Sequence, residues 1–178
     1  SINADDWTTF RNKVEEAKGQ YDVNAILTAD ITVTGKGKDY IAGYTANYPY
    51  RGTFDGNGHT LNLNISDDAY NTGLFSHVAN ATFKNVKLTG TISCSKSKFG
   101  SLIGCIDDNY SVTFENCQSS VTLKSSVNGD GTMGGFVGAL NSNAKATFRN
   151  CKFDGSFDGP NTYANGGYVG WTNGPITF

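Results

Sequence analysis

The sequence predicts an all-β chain wound as a right-handed, single-stranded parallel β-helix, with three strands per coil, about 30–34 residues per coil, and an N-terminal capping α-helix. Three observations carry this expectation. A glycine-bracketed apolar run recurs as Gly73-Leu74-Phe75-Ser76, Gly100-Ser101-Leu102-Ile103-Gly104, Gly134-Gly135-Phe136-Val137-Gly138 and Gly166-Gly167-Tyr168-Val169-Gly170. A second phrase, Thr-Phe-x-Asn, recurs around Phe83, Phe114 and Phe148, at spacings of 31 and 34 residues. No helical period lies between the recurrences, which excludes leucine-rich and ankyrin repeats, and units this short cannot fold as separate globules.

The chain of 178 residues and 19.0 kDa is read as one domain, 1–178. It divides into a capping helix (1–19), first coils carrying a long loop over 35–51 (20–72), and regular repeats whose last coil is truncated (73–178). With 22 glycines and 3 prolines, tight backbone positions are plentiful and little blocks strand pairing. Charged residues make up 17% and the net charge is −2, with no basic cluster, which argues against nucleic acid as a partner. No apolar run approaches the roughly 20 residues of a spanning helix, so no membrane insertion is expected. The opening residues have no signal-peptide pattern, as expected of a processed start.

Taken in order, Trp7, Phe10, Val14 and Ala17 form one stripe of a 3.6-period helix. Asn3 can cap it, Asp5 and Asp6 suit its first turn, and Gly19 can stop it. A lone amphipathic helix ahead of a β-rich body should lie over an open core. Residues 21–27 and 31–33 read as strands. The stretch 35–51 shows no clean period and holds Tyr40, Tyr44, Tyr48 and Tyr50, which are candidate ligand contacts on a surface loop or rings that pack the loop down. Asp55-Gly56-Asn57-Gly58 is a tight turn requiring positive φ. Asp55 and His59 invite a catalytic reading, but turn geometry accounts for the Asp and Asn, and His59 lacks a third partner.

Alternation then sets the columns of the coil. Phe83, Phe114 and Phe148 should stack inside while Lys84, Glu115 and Arg149 face solvent. Asn85, Asn116 and Asn150 should stand at one corner with stacked amides. Past the corner, Val86, Cys117 and Cys151 should point inward, followed by Leu88, Ser119 and Phe153 and by Ile92, Leu123 and Phe157. Cys117 and Cys151 are read as buried thiols, although rung spacing also permits a disulfide, and the state of Cys94 and Cys105 is open. The cysteine spacings of 11, 12 and 34 contain no CxxC pair and only two histidines are available, so no metal centre and no cofactor are expected. A calcium ion at the turn of residues 128–131 would find too few oxygens there alone.

Residues 27–31 (Leu-Thr-Ala-Asp-Ile), residues 52–61 from Gly52-Thr53-Phe54-Asp55 to Leu61, Thr72-Gly73-Leu74-Phe75 and the recurring Gly-Gly-Phe-Val-Gly together resemble a known family. The chain is similar to bacterial extracellular repeat domains with GLUG motifs, of the adhesin and IgA-peptidase-associated type. The resemblance implies a right-handed parallel β-helix within a larger secreted or wall-attached protein. The metallopeptidase activity of such proteins implies a His-Glu-x-x-His zinc site in another domain, and that motif does not occur in this chain.

The expected function is therefore a non-catalytic, surface-exposed bacterial module, an adhesin or spacer that binds a host surface protein or glycan and works beside further domains of a larger parent. Trp171, which shares a repeat position with His77, Cys105 and Ala139, is either an outward-facing ligand anchor or a cover for the last coil. The rival reading is a polysaccharide lyase or hydrolase, with Asp67-Asp68, Asp107-Asp108 and Asp130 as candidate acids. All of these lie in apparent turns, where Asp is expected for backbone reasons.

Overall fold

The computed structural model describes the chain except Asp130, Pro160, Tyr163 and Ala164, with Asn161 and Thr162 described by backbone only. It is a β-solenoid of about five turns, and the strand pairs among the described residues are parallel. Each phenylalanine of the Thr-Phe-x-Asn phrase pairs with its counterpart one coil on, Phe83 with Phe114 and Phe114 with Phe148. Alternation demands this result: shifting a rung by one residue would turn every ring to solvent.

Three ladders run along the solenoid. The first stacks Ile2–Ala4, Ala25–Leu27, Tyr50–Asp55, the second half of Phe75–Lys84, Ser111–Glu115, Lys145–Arg149 and Ile176–Thr177. The second stacks Ile31–Gly35, Thr60–Asp67 and Lys87–Cys94, then divides into shorter pieces in later coils. The third is the glycine-bracketed run, in which Phe75 pairs with Ile103, Ile103 with Val137 and Val137 with Val169. The long strand Phe75–Lys84 passes through both the first and third ladders and joins them into one ten-stranded sheet.

The interior is a column of rings. Phe114 lies 5.8 Å from Phe83 and 4.4 Å from Phe148, nearly parallel to both, and Phe178 continues the stack at 5.9 Å from Phe148. Phe54 belongs to this column, in register with Phe83. Thr53-Phe54-Asp55 is thus an earlier copy of the phrase with Asp in the Asn slot, which the repeat alignment misses. Glycines 104 and 138 stand where backbone packs closely against backbone. A Cβ at Gly104 would sit 1.9 Å from the Asn71 carbonyl oxygen, and one at Gly138 would sit 2.7 Å from Lys98 backbone, so these positions admit the connecting chain against the ladder.

The corner asparagines adopt left-handed backbone, with φ of 53°, 53° and 52° at Asn85, Asn116 and Asn150. Asn and Asp tolerate this region better than other residues with a Cβ. Their amides form a chain: Asn150 Nδ2 donates to Asn116 Oδ1 (2.7 Å), Asn116 to Asn85 (3.4 Å) and Asn85 to Asp55 Oδ1 (3.0 Å). Asp55 is therefore the head of a structural ladder. Past the corner, Val86 and Cys117 are buried and Cys151 is half-buried. All four cysteines are thiols, with Cys117 and Cys151 directed at the carbonyls of Phe83 and Phe114.

The helix spans Trp7–Ala17 and buries its expected stripe, Trp7, Phe10, Val14 and Ala17. It covers the open first coil, with Phe10 5.1 Å from Phe54 and Trp7 5.5 Å from Phe75. The cap is Asp6, whose Oδ1 accepts the Thr9 N–H at 2.8 Å. Asn3 instead lies in a strand, Ile2–Ala4, that begins the first ladder. Asp6→Ala is expected to cost about 1 kcal/mol at neutral pH by urea unfolding. The bond to the Thr9 N–H holds the Asp6 carboxyl below its usual range, so its stabilisation is present above that range. It is lost as pH falls through the lowered value, and wild type and variant should converge in strong acid.

The stretch 35–51 is not a free loop. Gly37–Asp39 forms a short 3-10 turn, Tyr40, Ile41 and Ala42 are buried, and Ala42 bridges to Phe75 in place of a third strand. Tyr50 opens the strand Tyr50–Asp55 and is fully buried, its hydroxyl donating to the Val23 carbonyl at 2.9 Å. Tyr40 is buried with its hydroxyl directed at Asp67 Oδ2 (3.4 Å). Neither ring offers a surface to a ligand, because an early coil needs large side chains to fill its core. Tyr44 and Tyr48 remain exposed.

Candidate functional site

Residues on the second ladder alternate between core and solvent, and the solvent side is almost wholly hydroxyl and amide. One outward column reads Thr34, Asn64, Thr91, Thr122 and Ser156, and the next reads Ser66, Ser93, Lys124 and Asp158. The parallel register places these polar groups roughly 4.8 Å apart along the solenoid. Some bond one another, as Ser156 Oγ does with Thr122 Oγ1 (3.2 Å) and Thr89 Oγ1 with Asn62 Oδ1 (3.2 Å).

At the end of these strands the columns run into a groove of about 410 Å³. Its floor is Ser66, Ser93 and Ser125, and Lys124 flanks it. Lys36 and Asp68 form an ion pair at 3.0 Å on its wall. Lys36 holds the Asp68 carboxyl below the usual range, and Asp68 raises the Lys36 ammonium in return. The turn after Asp68 presents Tyr70, 63% exposed, with Lys96 Nζ 5.5 Å from its ring centroid. Hydroxyls, a cation, an anion and an accessible ring are the groups that recognise sugar hydroxyls and polar backbone. Sequence reasoning did not single out Tyr70, which lies outside the repeat phrases and so has no pattern to depart from.

Of the candidate acids, Asp67 and Asp68 line the groove, and Asp107 and Asp108 lie apart from it. Asp67 is buried beneath the groove, accepting from Thr72 Oγ1 (3.1 Å) and the Asp68 N–H (2.8 Å) as well as meeting Tyr40. Asp107 meets His77 Nδ1 at 3.0 Å, and Asp108 accepts the Ser142 N–H. His59 pairs with Asp30 at 3.3 Å, away from Asp55. The Thr60 N–H, more than His59, lowers the Asp30 carboxyl. Asp130, the acid of the possible calcium turn, lies outside the described residues.

The thiols differ in character. Burial, followed by the nearby Asp107, pushes Cys105 up to about 12, and burial also raises Cys94. The side-chain contact between Cys117 and Cys151, with burial, raises Cys117, and the same contact lowers the more exposed Cys151. Trp171 points outward, 43% exposed and in register with Ala139, and Lys98 Nζ lies 5.2 Å from its ring. The sequence-predicted ligand residues are therefore dispersed: Tyr44 and Tyr48 lie beside the helix end of the chain, and Trp171 lies on the last coil of the third ladder.

No protein in a curated set matches the chain. In fold it is similar to a solved structure from Bacteroides ovatus described as a "putative immunoglobulin A1 protease", with 16% identity, a TM-score of 0.51, and coverage of 98% of this chain and 74% of that one. Residues 1–127 match the model of a family described as "putative pectate lyase-like adhesive domain". That match spans the helix, the first coils and the groove, and the chain belongs to this family of pectate lyase-like adhesive domains.

Proposed function

We propose that this chain is a non-catalytic adhesive module, displayed outside a bacterial cell, that binds a host glycan or surface protein through the Ser66–Ser93 groove and Tyr70. The observation that carries this reading is the groove itself, serine hydroxyls on successive rungs beside a charged pair, with the exposed Tyr70 ring on the turn that follows Asp68. Support also comes from the acids: Asp67 and Asp68, which line the groove, are held by Thr72 and Lys36, and Asp107 and Asp108 are held by His77 and the Ser142 N–H. An acid/base pair for glycoside cleavage would need two carboxyls free to meet the substrate at a set separation.

The test is binding of the purified chain to a glycan array and to immobilised matrix proteins, with Tyr70→Ala alongside. Saturable binding is expected, weakened at least about tenfold by Tyr70→Ala with an unchanged melting temperature. Saturable binding indifferent to Tyr70→Ala and to Ser93→Leu would move the site elsewhere. Steady production of unsaturated uronates or reducing ends from pectin, alginate or glycosaminoglycan would replace the reading with a lyase or hydrolase.

A further inference from the structure

We propose that His77, Cys105 and Asp107 bind a zinc-type transition-metal dication that ties two successive turns of the solenoid together. His77 stands on Phe75–Lys84, and Cys105 is its register partner one coil on, in Ile103–Ile106. Asp107 follows Cys105 by two residues, its N–H bonded to the Val78 carbonyl at 3.2 Å, which returns the carboxylate to the same spot. One donor atom from each residue lies within 4.8 Å of the others. The Nδ1 to Oδ1 distance is 3.0 Å and the Sγ to Oδ1 distance is 3.9 Å. Zinc bonds of ~2.0–2.1 Å to N and O and ~2.3 Å to S, arranged tetrahedrally, require donor separations of roughly 3.3–3.6 Å. The two separations from Asp107 Oδ1 are therefore within a few tenths of an ångström of these values, and His77 and Cys105 need only draw together from within 4.8 Å to close around an ion.

A second observation points to a ligand. Asp107 Oδ2 is buried and has no hydrogen-bond partner among the described residues. A His–Asp pair alone would leave that oxygen orphaned, whereas a dication attracts the whole carboxylate. The mixed N, S and O donor set selects zinc or cobalt over calcium and magnesium, which prefer oxygen shells. On binding, neutral His77 offers the Nδ1 lone pair and keeps its proton on Nε2. The Cys105 S–H bond breaks, its proton leaves to water and the thiolate pairs with the metal. Two anions then balance the charge of the ion. The next residue in the column is Ala139, which has no donor atom, so the fourth position falls to water.

The test is titration of tag-free, reduced, chelator-stripped chain with Co²⁺ and Zn²⁺. The expected result is one ion per chain, a thiolate-to-cobalt charge-transfer band bleached by zinc, and a melting temperature that rises with zinc. Cys105→Ser should abolish the band and His77→Gln should weaken binding at least tenfold, while Cys151→Ser should leave both unchanged. Absence of stoichiometric binding by the wild-type chain, or a band that persists in Cys105→Ser, would overturn the proposal. The wild-type titration decides the matter even if a variant fails to fold.

Discussion

Phe114→Ala is expected to lower the free energy of unfolding by about 3–5 kcal/mol, the cost of removing a large buried ring whose site cannot collapse. Phe114 is fully buried in the middle of the ring column, stacked at 9° on Phe148 and 16° on Phe83. Its neighbours are held apart by the backbone ladder, so the space left behind stays open. In a solenoid each turn is stabilised mainly by the turns on either side, and a void in the middle also loosens its neighbours. Urea unfolding followed by circular dichroism measures the loss. Glu115→Ala is the control: its side chain faces solvent, meeting the exposed Arg149 at 3.2 Å, and should change stability by no more than about 0.5 kcal/mol. A Phe114→Ala cost no larger than that control would mean that the column does not hold the coils together.

Gly90→Ala should be comparably damaging, by about 3–5 kcal/mol, through backbone strain and collision combined. Gly90 lies inside the strand Lys87–Cys94, in register with Leu63, yet has a φ of +100°. A Cβ there would sit 2.0 Å from the Leu63 carbonyl oxygen, and backbone cannot rotate aside as a flexible side chain would. The substitution adds one methyl group to a chemistry that is otherwise unchanged, so any large effect is geometric. Thr89→Ala, next in sequence and free of that constraint, is the comparison. A melting temperature for Gly90→Ala equal to that of Thr89→Ala would contradict the close approach.

The repeat made the coil legible. Parallel stacking forces equal positions on successive turns to share one environment, so the Phe, Asn and Val/Cys columns at residues 83–86 recur at 114–117 and 148–151. The amphipathic stripe of the helix was legible for a similar reason, since period and burial are linked in a single element. Where the chain leaves the repeat, this link is lost. Tyr40 and Tyr50 have the composition of a ligand-binding loop, and only the fold reveals that an early coil uses them as core. Asp6 displaced Asn3 as the helix cap because the first ladder claims residues 2–4 as a strand.

Local sequence determined the fold class, the phase of the coil and the side each repeat residue faces. These follow from alternation and from the left-handed corner that Asn accepts. Tertiary structure alone decided which distant residues meet, because winding brings together positions separated by one whole turn. His77 and Asp107 are 30 residues apart and meet at 3.0 Å. Ser66 and Ser93 become neighbours on one groove floor through the same winding. A spacing rule for metal or catalytic motifs reads along the chain, whereas a solenoid assembles its sites across it.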